Sequence, residues 1–323
     1  MLSTLVTKLQ ESIGVLHKQD IQTAAHFLRQ TPNWLDAEVL LGDDCAAIPD
    51  GEAYLLLASE GMMPFFVEQD PWFAGWSAVM VNVSDIYAMG GRPIALVDAL
   101  WSQSVEQSQQ IWAGMQAAAQ AYDVPIVGGH TNCHSPYNAL SVSILGRAER
   151  LMTSFDAQPG QQLLMAVNFD GQMHPEFAFW NAATKADPVR LQEDLALLPD
   201  LAEKRLCRAG KDISMGGVIG TTLMLLETSA CGAVLNLDAI PCPAGVSLDQ
   251  WLTAFPSYGF LLSIDSDHVA TVQAMFRDRQ LICEPIGEVN CTSELVLRLQ
   301  QDSICFWNLQ KQSLTGFTPA VPA

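Results

Sequence analysis

The residues in this chain with the clearest chemical potential are carboxylates set beside glycines. The densest stretch is Asn82-Val-Ser-Asp85-Ile-Tyr-Ala-Met-Gly90-Gly91-Arg92-Pro93. Asn82 and Asp85 are three apart, so on a helix they share one face. A carboxylate in so apolar a run is costly to bury unless something pairs with it. Two readings stand: a polar pair capping local backbone, or Asp85 facing a cation in a cleft. Gly42-Asp43-Asp44 places two adjacent acids after a glycine. That serves a turn, or it offers oxygen ligands to Mg²⁺, a hard cation. Glu60, in Ser59-Glu60-Gly61, is either a solvated residue at a strand end or a third oxygen site.

Two glycine pairs complete the set. Gly128-Gly129-His130-Thr131-Asn132 lets backbone approach a ligand closely. His130 there is a turn residue or a proton shuttle. Asp212-Ile-Ser214-Met215-Gly216-Gly217 precedes an amphipathic run. It is either a glycine-rich turn or a loop presenting N–H groups to an anion at a helix N-terminus.

The elements that must position these residues can be read from periodicity. Residues 3–30 form a helical arm with no chemistry of its own, ended by Pro32. Tyr54–Ser59 is a strand, and the run from Trp72 is a buried helix stopped by Gly90-Gly91. Ile94–Trp101 is a strand, Glu106–Tyr122 a helix, Val124–Val127 a short strand ending in Gly128, and Leu140–Ala148 a strand. Gln162–Val167 opens a second domain. His174–Ala186 is weakly helical, and Pro188–Arg208 and Val218–Ala230 are helices. Strands follow near 233–237, 258–264, 281–287 and 294–299, with a helix near 267–277. The domains are therefore an arm (1–34), a first domain (35–150), a second (151–305) and a loosely held end (306–323).

Composition narrows the class. The 323 residues suffice for two domains with sizeable cores. With 49% hydrophobic and 16% charged residues the chain is globular. Thirty-five acids against 16 bases give a net charge of −19, which repels nucleic acid and anionic membrane. A polyphosphate would need divalent cations and backbone N–H groups to neutralise it. Eight scattered cysteines without a CxxC fit reduced thiols in a cytoplasmic protein. The Trp72–Val83 run is too short to span a bilayer.

In this order, the motifs resemble the AIR synthase-related (PurM-like) superfamily, which holds aminoimidazole ribonucleotide synthase, thiamine-monophosphate kinase and selenophosphate synthetase. The resemblance covers roughly residues 38–300 and is most specific over Asn82–Pro93. It implies an α+β, two-domain PurM-like fold. The N-terminal domain would be a four-stranded mixed sheet that pairs in a homodimer to make a barrel, and the C-terminal domain an α/β sandwich. It also implies ATP near the domain junction, held through Mg²⁺. Asp43, Asp44, Glu60, Asp85 and Asp212 fall at the metal positions. Asn82, Gly128, Gly129, Thr131, Ser214, Gly216 and Gly217 fall at nucleotide positions, and His130 at a catalytic one. The implied activity is ATP- and Mg²⁺-dependent phosphoryl transfer to, or activation of, a small molecule by a kinase-like transferase or a synthase. The alternative is a catalytically degenerate nucleotide-binding or scaffold subunit. Met215 stands where the kinase has an acid, and Phe255-Pro-Ser-Tyr258 replaces its Gly-Glu-Asp-Tyr segment. No Cys-plus-Lys glycine-rich loop precedes Asp43, which argues against selenophosphate synthesis.

Overall fold

The computed structural model describes residues 2–30 and 41–318. Pro32, expected to end the arm, lies outside them. The chain divides into two compact units, one of residues 44–151 with 183–200, the other of residues 1–43, 152–182 and 201–323.

The arm is three short helices, α1 (Leu2–Gln10), α2 (Ile13–Leu16) and α3 (Ile21–Leu28), with a 3₁₀ turn between the last two. It is part of the larger unit, not an appendage. Leu2, Val6, Leu9 and Val15 are buried in that unit's core.

The smaller unit is built on β1 (Ala46–Asp50), β2 (Ala53–Met62), α4 (Pro64–Gln69), α5 (Pro71–Ala88), β3 (Arg92–Trp101), α6 (Val105–Tyr122), β4 (Ile126–Asn132) and β5 (Ala139–Ala148). Its sheet has five strands where four were expected, in the order β1-β2-β5-β3-β4. Only β3 and β4 run parallel. The glycine pair and His130 are inside β4, so the strand runs on where a loop was expected.

Helix α5 covers one face of this sheet. Asp70 starts it, its Oδ1 accepting from the Phe73 N–H at 3.0 Å, with Pro71 at the first helical position. Gly90, at φ +74°, ends it. Every residue from Phe73 to Ala88 is buried. Two glycines let α5 and α6 touch backbone to backbone. A Cβ on Gly75 would lie 2.1 Å from the Ile111 carbonyl, and one on Gly114 1.9 Å from that of Trp72.

The larger unit contains β6 (Gln162–Val167), β7 (Gln172–Met173) and β8 (Phe179–Asn181). The expected weak helix from His174 is therefore a hairpin, closed by His174 N–H to the Phe179 carbonyl at 2.7 Å. The chain then returns to the smaller unit, where α7 (Pro188–Leu195) and the start of α8 (Leu197–Glu203) replace the single helix expected to Arg208. Arg205, at φ +58°, turns the chain out of helical conformation. Then come β9 (Ala209–Asp212), α9 (Gly217–Thr228), β10 (Gly232–Asn236), α10 (Leu248–Trp251), β11 (Phe255–Pro256), β12 (Gly259–Ile264), α11 (Val269–Asp278), β13 (Ile282–Asn290), β14 (Glu294–Leu299) and β15 (Asp302–Asn308). Seven strands form a mixed sheet, β15-β14-β10-β13-β6-β12-β9, and β11-β8-β7 form a small second one.

Of the end expected to be loose, residues 306–318 are described and are tied to the larger unit. Residues 302–308 are the edge strand β15, and the Gln10 amide donates to the Phe306 carbonyl at 2.8 Å. Beyond it, the carboxylate of Glu227, 1% exposed in α9, accepts from the N–H groups of Leu314 and Thr315 at 2.8 and 2.7 Å. It also accepts from the Ser313 and Thr315 hydroxyls. Removing one buried acceptor that serves several donors strands them all. Glu227→Ala is expected to cost about 3 kcal/mol, read as a lower urea midpoint, while Ser313→Ala costs under about 1.5 kcal/mol.

Candidate functional site

In the smaller unit, Asp85 sits on α5 and is 6% exposed. Asp44 lies in the bend leading into β1 and is half-buried. One carboxylate oxygen of each lies within 4.8 Å of the other. Two ionised carboxylates at that spacing repel by roughly 3 kcal/mol at an effective dielectric of about 20. A shared hard cation turns this repulsion into binding, so the donor set fits Mg²⁺. Asn82, one turn before Asp85 and fully buried, donates through Nδ2 to the Ala78 carbonyl at 2.8 Å. Its Oδ1 has no hydrogen-bond partner among the described residues.

Register sorts the remaining residues of this unit. Directly paired residues share a sheet face. Glu60 pairs with Val142, Val142 with Asp98, and Asp98 with Gly129. This row lies on the face that α5 covers, because Val142 and Asp98 share the parity of the buried Leu140, Ile144, Leu96 and Leu100. Glu60 itself is exposed, and β2 continues past it to Met62. His130 pairs with Ala99 and belongs to the other face, where its ring lies 5.7 Å from that of Trp101. That open face also carries Leu57, Val97 and Leu145, at 46, 43 and 36% exposure. Gly128 and Thr131 are exposed on β4.

Asp98 was not anticipated. It is 6% exposed, and neither carboxylate oxygen has a hydrogen-bond partner among the described residues. A Cβ on Gly129 would fall 2.0 Å from Asp98 Oδ1. The second glycine of the pair is therefore required by the acid on the neighbouring strand. Burial pushes the Asp98 carboxyl above the ordinary range, against a smaller lowering by its own backbone amide dipole and by His130. The sequence signal was available: an acid at the core-facing parity of an apolar strand.

In the larger unit, Asp212 ends β9 at 5% exposure, and its carbonyl accepts from Thr221 Oγ1 at 3.3 Å. Asp43 does not present an open carboxylate. Its Oδ1 lies 3.6 Å from Lys211 Nζ, with both side chains at most 3% exposed. Its Oδ2 accepts from the Ser154 N–H at 2.7 Å. Asp43 is thus an ion-pair partner of Lys211, and Asp44 and Asp85 bring their carboxylates together. Lys18, on the arm thought to carry no chemistry, donates to Ser214 Oγ at 3.2 Å. Gly14 of the arm packs on Met215, where a Cβ would lie 2.0 Å from the Met215 carbonyl. Gly216 caps α9, and Gly217 needs its φ of +61° to pass the Leu252 carbonyl.

All eight thiols are free. Burial pushes Cys207 and Cys231 up to about 12, so neither is a nucleophile near neutral pH.

The N-terminal domain of the AIR synthase related protein family matches residues 42–148, and its C-terminal domain residues 163–300. The chain belongs to the AIR synthase related protein family. An uncharacterised protein of Synechocystis is 59% identical over 98% of this chain and 99% of its own length. A thiamine-monophosphate kinase of Synechococcus elongatus is 30% identical over 65% of this chain and 70% of its own. Among solved structures, T. maritima PurL complexed with ATP superposes with a TM-score of 0.74 at 18% identity, covering 99% of this chain and 55% of PurL. The ThiL complex with AMPPCP and TMP gives 0.65 at 20% identity, covering 86% of this chain and 94% of that one. These likenesses establish the two-domain PurM-like α+β fold. No helix among the described residues is long and apolar enough to cross a membrane.

The Asp98 assignment has a pH signature. A carboxyl held above its unfolded value binds more protons folded than unfolded, so stability falls as pH rises through that interval. Asp98→Asn should raise Tm at pH 7, and the gain should vanish below the ordinary carboxylate range, as followed by differential scanning fluorimetry across pH.

Proposed function

We propose that this protein is an ATP- and Mg²⁺-dependent enzyme that phosphorylates a small molecule or activates one by phosphorylation. The observation that carries the reading is the Asp44–Asp85 pair, held within 4.8 Å with Asp85 buried in an apolar helix. Asp44 and Asp85 would hold the cation. Mg²⁺, when bound, neutralises charge on phosphate oxygens and orients them. The chain's net charge of −19 supports the same view, since a triphosphate approaches such a protein only with bridging cations. Family membership and the kinship with a thiamine-monophosphate kinase add to it.

Within this reading each residue has a task. Asp85 is fixed by α5, whose ends are set by Asp70 and Gly90. Asn82 Oδ1 offers a nearby acceptor on the same helix. Ser214 and Gly216 would present a hydroxyl and a backbone N–H at the start of α9, with Lys18 supplying positive charge beside Ser214, while the Gly217 N–H closes the turn onto the Ser214 carbonyl at 2.8 Å. Asp212, Glu60 and Thr131 remain proposed contacts to metal or nucleotide from their motif positions. His130 sits on the open sheet face beside Trp101, and its proposed catalytic role depends on what meets that face.

The protein is also proposed to be a cytoplasmic homodimer. Leu57, Val97 and Leu145 form adjacent rows of exposed apolar side chains on the open face of the smaller unit, and a second copy would cover them.

Titration calorimetry tests the nucleotide reading. ATP should bind with Mg²⁺ and bind far more weakly in EDTA. Asp85→Asn should weaken Mg·ATP binding by about tenfold or more with little change in Tm. Metal-independent binding, or equal loss of binding and folding, would overturn the assignment. For the dimer, Val97→Asp should yield a folded monomer by sedimentation.

A further inference from the structure

In residues 313–318 the chain comes back to the stretch that precedes Asp44. Gly42, Asp43 and these residues all belong to the larger unit. Leu314 is fully buried, and Gly316, at φ +83°, carries the chain past Ala25 of α3. Phe317 follows. Gly42 stands against it at φ +109°, and a Cβ there would fall 2.5 Å from both Cβ and Cγ of Phe317. Phe317 therefore lies directly on the Gly42 backbone. Residue 42 is confined to glycine twice, by its φ and by this contact.

Both sides of the contact are fixed from one place, the end of α9. Glu227 takes the N–H groups of Leu314 and Thr315 and so sets the approach to Phe317. The next two residues hold the other side. Thr228 Oγ1 and Ser229 Oγ donate to the Ser154 carbonyl at 2.7 and 2.6 Å. The Ser154 N–H is in turn the donor to Asp43 Oδ2. The arm adds a further support. Gln22 Nε2 donates to the Ser313 and Leu314 carbonyls at 2.9 and 3.0 Å, and Arg29 Nη2 to that of Thr318 at 2.7 Å. Three consecutive residues at the end of one helix thus brace the Gly42–Asp43 stem, through its backbone and through its carboxylate.

The stem needs bracing because of the residue that comes next. Asp44 is bonded to Asp43, and its carboxylate lies within 4.8 Å of that of Asp85. Before a cation arrives, the two ionised groups repel. Asp85 is carried by the long buried helix α5 and cannot yield, whereas Asp44 lies in a bend. A stem free to pivot would let Asp44 swing away, and a cation would have to order it again on binding.

We propose that Phe317 is a positioning residue for the cation site. Packed on Gly42, it keeps the stem from pivoting and holds Asp44 where the cation needs it. The proposal rests on the reading of Asp44 and Asp85 as cation ligands. It gives a role to a segment beyond residue 300, where the match to the family's C-terminal domain stops.

The test uses the full chain. ATP binding is measured by calorimetry with Mg²⁺ and with EDTA, and hydrogen exchange of the ligand-free chain by mass spectrometry. Phe317→Ala should weaken Mg·ATP binding about tenfold, the scale on which losing a group that orients a metal ligand is felt. Binding in EDTA should be unchanged. Exchange over residues 42–45 should quicken about fivefold or more, with β13 unchanged. Phe317→Leu refills most of the space over Gly42 and should restore both readouts to within about twofold of wild type. Undiminished Mg·ATP binding in Phe317→Ala, an equal loss with and without metal, unchanged exchange over 42–45, or a quickening shared by β13 would each overturn the proposal. A wild-type chain whose ATP binding ignores Mg²⁺ would instead defeat the Asp44–Asp85 reading, and the proposal with it.

Discussion

A carboxylate taken out of water must find compensation, and this acidic chain meets that constraint in a different way at each buried acid. Glu227 does it with hydrogen bonds from the returning chain end. Asp43 does it with a buried lysine and a backbone N–H. Asp194 has Arg190 Nε 3.6 Å away, one helical turn back. These three are structural, because their compensation comes from the protein. Asp44 and Asp85 bring carboxylate oxygens within 4.8 Å of each other, and Asp98 has neither oxygen hydrogen-bonded to another side chain among the described residues. Acids gathered at such a spacing give a cation a reason to bind.

The same constraint explains local architecture. Asp85 can be buried only if α5 is held rigidly against the sheet and against α6. That demands the close glycine contacts at Gly75 and Gly114. Asp98 occupies the space over Gly129, so the glycine pair on β4 is matched to an acid on β3. The two faces of the sheet are consequently unlike. One is covered by α5 and carries the acids, whereas the other is open and apolar, with His130 and Trp101 at its end.

Much of this was legible in the sequence, and what was missed has physical causes. α5 was legible because its apolar run is long and its end is marked by Gly90-Gly91. Strands β3, β5, β6, β10, β12 and β14 were legible from alternation or continuous apolar runs. The β7–β8 hairpin was missed because its strands are two and three residues long and the paired partner β11 comes about 75 residues later. Strand β15 was missed because its burial is uneven and its ladder slips at Leu295/Val296. The continuation of β4 through Gly128-Gly129 was missed because glycine pairs ordinarily mark turns. For the site, the acids were legible as a set. That Asp43 and Asp44 part company was not, because only tertiary structure brings Lys211 and the Ser154 N–H to Asp43.

The chain passes between its two units repeatedly, at residues 43–44, 151–152, 182–183 and 200–201. On the ribosome this fixes an order of events. The smaller unit lacks α7 until about residue 200 has emerged. The larger unit, although its arm is made first, lacks β15 and the donors for Glu227 until the last stretch is synthesised. Its first helices must therefore wait, with Leu2, Val6 and Leu9 uncovered, for strands made some 300 residues later. The repeated crossing also means that no single cut in the gene yields either unit intact.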